Sequence, residues 1–188
     1  IYLPLPAPHN PILPIAPWKG SSNINPYADF VLMIDDLMGE IFTTLKEKGI
    51  EENTLVIFTS DNGCAPNANF PALKAKGHNP NYIYNGYKGS YFEGGHRVPF
   101  VVSWPSHIPA GKKFNGLSSS LYSFTTSIAA ANINKKEDLI LDSVNLLPFL
   151  KGEKTGDPHD KLVWRKLEEA GAGIGDDKMV RLKDFAAT

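Results

Sequence analysis

The chain has a single cysteine, Cys64, among its 188 residues, so no disulfide can form within it and cysteine usage does not fix a redox compartment. It also has no excess of either charge. Nineteen Lys and Arg stand against twenty Asp and Glu, a net charge of −1, which gives no electrostatic case for nucleic acid or an anionic membrane. No apolar run approaches the length of a membrane span. No signal peptide is visible, and the first residue is Ile1 rather than a methionine. No internal repeat is present. What remains is 42% hydrophobic and long enough to fill one domain with a real core.

Prolines crowd the start: Pro4, Pro6, Pro8, Pro11, Pro14 and Pro17, the last four at intervals of three. That spacing would align them on a polyproline II helix, a ligand shape for Pro-recognising domains. The interleaved Ile12, Leu13, Ile15, Ala16 and Trp18 argue instead for an extended segment packed onto a domain. A helix is expected next. Asn25 can cap it, Pro26 suits its first turn, and Phe30, Met33, Ile34, Leu37, Ile41 and Leu45 recur at helical spacing up to Gly49.

Leu55-Val56-Ile57-Phe58 then reads as a buried central parallel strand, which with the preceding helix makes one unit of a doubly wound sheet. It runs into Thr59-Ser60-Asp61-Asn62-Gly63. Ligands in open α/β sheets sit beyond the carboxyl ends of strands, so Asp61 and Asn62 stand at a candidate site. Both offer oxygen ligands suited to a hard cation such as calcium or magnesium. An Asn-Gly hairpin turn is the plainer reading, but Cys64 to Asn69 is no returning strand. Residues 64–96 show little regular pattern and read as a long loop, usually a functional one. Helices are expected within 118–131 and 143–150, a linker over 151–158, and strands at 162–165 and 178–181.

Gly86-Tyr87-Lys88-Gly89-Ser90-Tyr91-Phe92-Glu93-Gly94-Gly95-His96-Arg97-Val98-Pro99 leads into Phe100-Val101-Val102 and ends on Trp104-Pro105. With strand-Ser-Asp-Asn-Gly and the early Pro8-His9-Asn10-Pro11, this order and spacing resembles the sulfatase family, the calcium-dependent sulfuric ester hydrolases of the alkaline-phosphatase-like superfamily. The resemblance runs from residue 1 to about residue 150. It includes Asp142 to Leu150, a match to the family's aspartate-led run ending in Leu-Leu-Pro-x-Leu.

The resemblance implies an α/β fold, part of the alkaline-phosphatase-like three-layer α/β/α sandwich. Residues 1–150 would form the carboxyl-terminal part of its catalytic domain, and 151–188 a linker and the start of a smaller α+β subdomain. It implies Ca²⁺ held by Asp61 and Asn62, Lys88 against the sulfate, and His9 at the leaving oxygen, a role for which histidine has a suitable pKa. His78, in Gly77-His78-Asn79-Pro80, is a substrate contact on the same grounds or a surface histidine; Glu93 and Arg97 read as a structural ion pair. The substrate would be a sulfate ester, including sulfated carbohydrate, and the protein periplasmic or secreted.

Three family elements are not in the sequence: the nucleophile's precursor, an Asp-Asp pair after the first strand that would supply further calcium ligands, and a Lys-x-His segment that would add substrate contacts. The nucleophile, a formylglycine made from Cys/Ser-x-Pro-x-Arg, has no precursor here. Cys64-Ala65-Pro66-Asn67-Ala68 and Ser103-Trp104-Pro105-Ser106-His107 lack the arginine, and Asp35-Asp36 lies within the helical repeat rather than at a strand end. The chain therefore reads as a fragment of a larger sulfatase whose remainder is its partner, inactive alone. Two alternatives compete. A zinc phosphoesterase of the same superfamily would usually place histidine, not Asn62, after the strand-end aspartate, because imidazole suits zinc. A non-catalytic binding module could keep the fold without the nucleophile.

Overall fold

The computed structural model describes residues 1–134, 136, 138–166 and 169–181. These form two compact units, the first made of Ile1–Glu51 and Asn62–Arg97, the second of Glu52–Asp61 and the chain from Val98 onward.

The first unit is organised by α1 (Pro26–Glu47). The Asn25 side chain accepts the Ala28 N–H at 3.0 Å, Pro26 opens the first turn, and Phe30 is buried, so the capped amphipathic helix forms as its residues dictate. Asp29, buried in the first turn, accepts the Gly20 N–H at 2.7 Å and the Ser22 N–H and hydroxyl at 2.9 and 2.5 Å. Burial pushes its carboxyl up, yet the Ser22 and Gly20 hydrogen bonds outweigh that and hold it below the usual carboxylate range. The proline-rich start is interrupted by turns at residues 7–11 and 16–20 rather than extended throughout, and its apolar side chains do not all pack: Tyr2, Leu3, Leu13 and Ile15 are exposed. Alternate residues of an extended segment face opposite ways, so one contact surface covers only part of them.

The stretch read as a loop contains α2 (Phe70–Ala75) and α3 (Glu93–His96). Asn69, in the left-handed region at φ 63°, caps α2 by accepting the Ala72 N–H at 3.3 Å. Elements of four and six residues are too short to show a hydrophobic period, which is why the pattern misses them.

In the second unit β1 (Val56–Thr59) pairs with β2 (Phe100–Ser103). The pairing is antiparallel, Val56 opposite Ser103 and Thr59 opposite Phe100, and β1 is half-buried. The expectation of a fully covered parallel strand is thus corrected for the described residues. An apolar β-branched run specifies a strand, but direction depends on a partner far along the chain. Past β2, Trp104 is buried and stacks on His107 at 3.8 Å. The Ser103–His107 segment is therefore a packed strand exit.

Two helices follow, α4 (Tyr122–Ala130) and α5 (Leu147–Lys151). Tyr122, Thr126, Leu146 and Leu147 are buried around them. The Thr126 hydroxyl accepts the Leu146 N–H at 3.0 Å, and the Tyr122 hydroxyl meets His159 Nδ1 at 2.5 Å. The expected strands at 162–165 and 178–181 are β3 (Leu162–Lys166) and β5 (Asp177–Arg181). Between them lies β4 (Glu169–Ile174), which the sequence reading missed, in an antiparallel sheet of order β3-β4-β5. Among the described residues no helix is long and apolar enough to cross a membrane.

Candidate functional site

β1 delivers Ser60 and Asp61 at its carboxyl end, and the Asp61 carboxylate is exposed. Asn62 follows, half-buried, its amide donating to the Gly63 carbonyl at 3.3 Å. From Asn62 to Arg97, backbone contacts knit two loops together. Gly63 N–H donates to the Gly95 carbonyl at 2.9 Å, Lys88 N–H to the Cys64 carbonyl at 3.0 Å, and Gly94 N–H to the Asn85 carbonyl at 2.7 Å.

The fit depends on glycine. A Cβ on Gly63 would lie 1.9 Å from the Gly94 carbonyl oxygen. One on Gly94 would lie 2.4 Å from the Gly86 oxygen, and one on Gly95 2.1 Å from the Ser90 oxygen. Backbone packs directly on backbone there, with no room for a side chain. Gly86 and Gly89, at φ 87° and 91°, bend the chain into the left-handed region on either side of Tyr87-Lys88. Lys88 is half-buried on this turn, and its ammonium makes no hydrogen bond or ion pair among the described residues. A lysine held by its backbone with its charge uncommitted can serve an anion.

Glu93 and Arg97 form the expected ion pair at 3.2 Å, and the Arg97 guanidinium also lies over the Tyr84 ring at 4.7 Å. Cys64 is half-buried; burial pushes its thiol up, more than the Tyr27 hydroxyl hydrogen-bonded to it pulls it down. A raised pKa disfavours the thiolate, the form in which a cysteine attacks. Asp35 and Asp36 lie exposed on α1.

Neither further histidine is tied to the Lys88 turn by a described hydrogen bond. His9 is exposed in a turn whose backbone N–H reaches the Pro6 carbonyl at 3.0 Å, and its Nδ1 is 2.9 Å from the Asn10 carbonyl. His78 is exposed just past α2, its N–H bonded to the Leu73 carbonyl at 3.0 Å.

One residue that sequence reasoning missed is Asn81. It is buried, its Oδ1 accepts the Cys64 N–H at 3.3 Å, and its Nδ2 donates to the Gly86 carbonyl at 2.7 Å. It thus bolts the strand-end loop to the loop carrying Lys88. Among the several asparagines of this stretch, no local pattern singles it out.

Solved structures with the alkaline-phosphatase-like fold share this arrangement of elements. A Bacteroides thetaiotaomicron protein from a glycosaminoglycan-metabolism locus, BT33336S-sulf, matches with a TM-score of 0.83 at 30% identity, over 94% of this chain and 37% of its own. Ps i-CgsB in complex with k-i-k-neocarrahexaose matches with a TM-score of 0.77 at 30% identity, over 94% of this chain and 40% of its own. The fold is therefore α/β, part of the alkaline-phosphatase-like sandwich.

The family model for the sulfatases matches residues 1–133, and the chain belongs to the sulfatase family. Among curated relatives, the N-acetylgalactosamine-6-sulfatase of Canis lupus familiaris is 36% identical over 157 residues, covering 84% of this chain and 29% of that enzyme. The N-acetylgalactosamine-6-O-sulfatase of Bacteroides thetaiotaomicron is 34% identical over 148 residues, 77% of this chain and 29% of that enzyme. The chain thus spans about three tenths of the length of these relatives.

Proposed function

We propose that the protein containing this chain is a calcium-dependent sulfatase hydrolysing sulfate esters of carbohydrates, and that this chain supplies part of its metal site and one sulfate-binding cation. The observation that carries the reading is the docking of the Gly-x-Lys-Gly turn on the strand-end loop, through Lys88 N–H to the Cys64 carbonyl and Gly63 N–H to the Gly95 carbonyl. It ties a lysine with an uncommitted ammonium to the loop that begins with Asn62.

Asp61 and Asn62 present a carboxylate and a carboxamide oxygen, donors that fit calcium better than zinc. Calcium takes roughly six to eight oxygens. No group of three or more His, Cys, Asp and Glu gathers among the described residues, so the pair provides a share of the shell rather than the whole. The remaining ligands would come from elsewhere in the protein. Bound there, the cation would polarise the sulfate oxygens. Lys88 would neutralise charge on the sulfate as a compact ammonium. His9, whose Nε2 has no partner among the described residues, would give a proton to the leaving alkoxide. His78 would be a substrate contact.

The nucleophile would be a formylglycine borne outside this chain, which has no Cys/Ser-x-Pro-x-Arg of its own. Residues 1–150 would belong to the catalytic domain and 151–188 to a linker and the start of a smaller subdomain. A periplasmic or secreted location goes with an extracellular sulfated polysaccharide as substrate.

The test is release of inorganic sulfate from sulfated oligosaccharides by the full-length protein. We expect turnover that stops on chelation and returns with Ca²⁺. Restoration by Zn²⁺ alone, with phosphate esters cleaved instead, would establish the zinc phosphoesterase. Tight oligosaccharide binding with no turnover would establish a binding module. Cell fractionation checks the location.

A further inference from the structure

Beside the Lys88 turn, within the unit that holds Asn62 to Arg97, lies a cavity of about 200 Å³ with Phe70, Lys74, Asn81, Tyr84, Asn85 and Tyr87 in its walls. Aromatic side chains line it together with amides and one cation, and no carboxylate is among its lining residues. Phe70 and Tyr87 stand with ring centroids 6.3 Å apart at 58°, so they offer angled faces rather than a closed stack.

The polar atoms divide into two sets. The Asn81 amide is consumed by the Cys64 N–H and the Gly86 carbonyl, and Asn85 Oδ1 accepts the Gly86 N–H at 2.8 Å. The Asn85 NH₂, the Lys74 ammonium and the Tyr87 hydroxyl have no hydrogen-bond partner among the described residues. The uncommitted groups are therefore rich in donors. They suit a ligand rich in acceptors and negatively charged, with apolar C–H faces to lie on aromatic rings. A sugar residue bearing a sulfate or a carboxylate has those properties.

From this we infer that the cavity is a subsite for an anionic sugar residue next to the one whose sulfate is cleaved, with Lys74 binding its charge and Tyr87 its ring face. Tyr87 precedes Lys88 directly, and Asn81 fixes the cavity wall to the loop that follows Asn62. An oligosaccharide held by Lys88 at one residue would thus have its neighbour in reach of the cavity. The subsite gives a preference for chains over small esters. The inference rests on the sulfatase reading for its purpose, but not for binding itself.

The test uses the full-length protein, with a chondroitin 6-sulfate tetrasaccharide (sulfate and carboxylate) and a κ-carrageenan tetrasaccharide (sulfate only) as probes. Binding is measured by titration calorimetry and turnover by sulfate release, with an aryl sulfate as the small ester. Lys74→Ala and Tyr87→Ala should each weaken tetrasaccharide binding about tenfold and raise KM to match, with kcat and aryl sulfate turnover unchanged. Lys76→Ala, an exposed lysine outside the cavity, should change nothing. Loss with both tetrasaccharides assigns the charge to sulfate, and loss with the chondroitin probe alone assigns it to carboxylate. Binding that depends on Lys74 without any turnover keeps the subsite and sinks the sulfatase reading. Tetrasaccharide binding that is absent, or indifferent to both substitutions, overturns the subsite whatever the turnover.

Discussion

Replacing Gly63 with alanine adds one methyl group where the backbone leaves none. The new Cβ would lie 1.9 Å from the Gly94 carbonyl oxygen and 2.9 Å from its carbon, far inside van der Waals contact. Both are backbone atoms, so no side-chain rotation relieves the clash; one loop must retreat from the other. Retreat breaks the 2.9 Å Gly63 N–H to Gly95 bond, worth about 1 kcal/mol. Overpacking adds roughly 1–3 kcal/mol. The expected loss is thus about 2–4 kcal/mol, measured as the shift in urea midpoint of the whole protein at constant m. Gly39→Ala is the matched control. Gly39 sits exposed inside α1 with nothing within 4 Å of an added Cβ, so alanine should stabilise by about 0.5–1 kcal/mol. If Gly63→Ala stays within about 0.5 kcal/mol of wild type, the size of an ordinary surface change, the interlocked loops do not exist as described.

If the full-length protein is the proposed sulfatase, Lys88→Ala in it should lower kcat about a hundredfold or more with little change in melting, and Lys88→Arg should not rescue it, because a planar fork aims differently from an ammonium. Near-normal turnover with early melting would make Lys88 structural. Asp29→Asn should cost about 2 kcal/mol at neutral pH by removing charge from three hydrogen bonds. The folded pKa is lowered, so that contribution is full above the unfolded value of 3.8 and fades as pH falls through the folded value. The gap between wild-type and variant urea midpoints should therefore close in acid; a gap constant from neutral pH to the acid limit refutes the assignment. This 188-residue chain expressed alone should not turn over a fluorogenic aryl sulfate and should bind Ca²⁺ more weakly than micromolar, if at all, because it has no formylglycine precursor and only a share of the ligands. Turnover abolished by Cys64→Ala, or a tighter Ca²⁺ site by calorimetry, would contradict it.

What the sequence made legible was local. Asn25 and Pro26 announce α1 because capping depends on a few adjacent residues, and the Glu93–Arg97 pair follows from i to i+4 spacing. The strand ending on Asp61 was visible as an apolar run, but its antiparallel partner, more than forty residues on, was not. β4 was hidden by its composition. Gly171 and Gly173 have little strand preference, yet both lie in the ladder, Gly171 opposite Trp164 and Gly173 opposite Leu162. Around the candidate site the motif residues were legible through the family pattern. The bolt made by Asn81 was not, because its two hydrogen bonds arise only once both loops are folded.

The interlocked glycines imply that this motif stores two kinds of information in different residues. Gly63, Gly94 and Gly95 encode a shape and are required for as long as the loops must meet, whether or not anything is hydrolysed. Lys88, Asp61 and Asn62 would, on the proposed reading, encode chemistry and be required only while a sulfate is being cleaved. A descendant that abandoned catalysis would keep the first set and let the second drift. The residues that make such a chain easiest to recognise are thus the ones that say least about whether it still works.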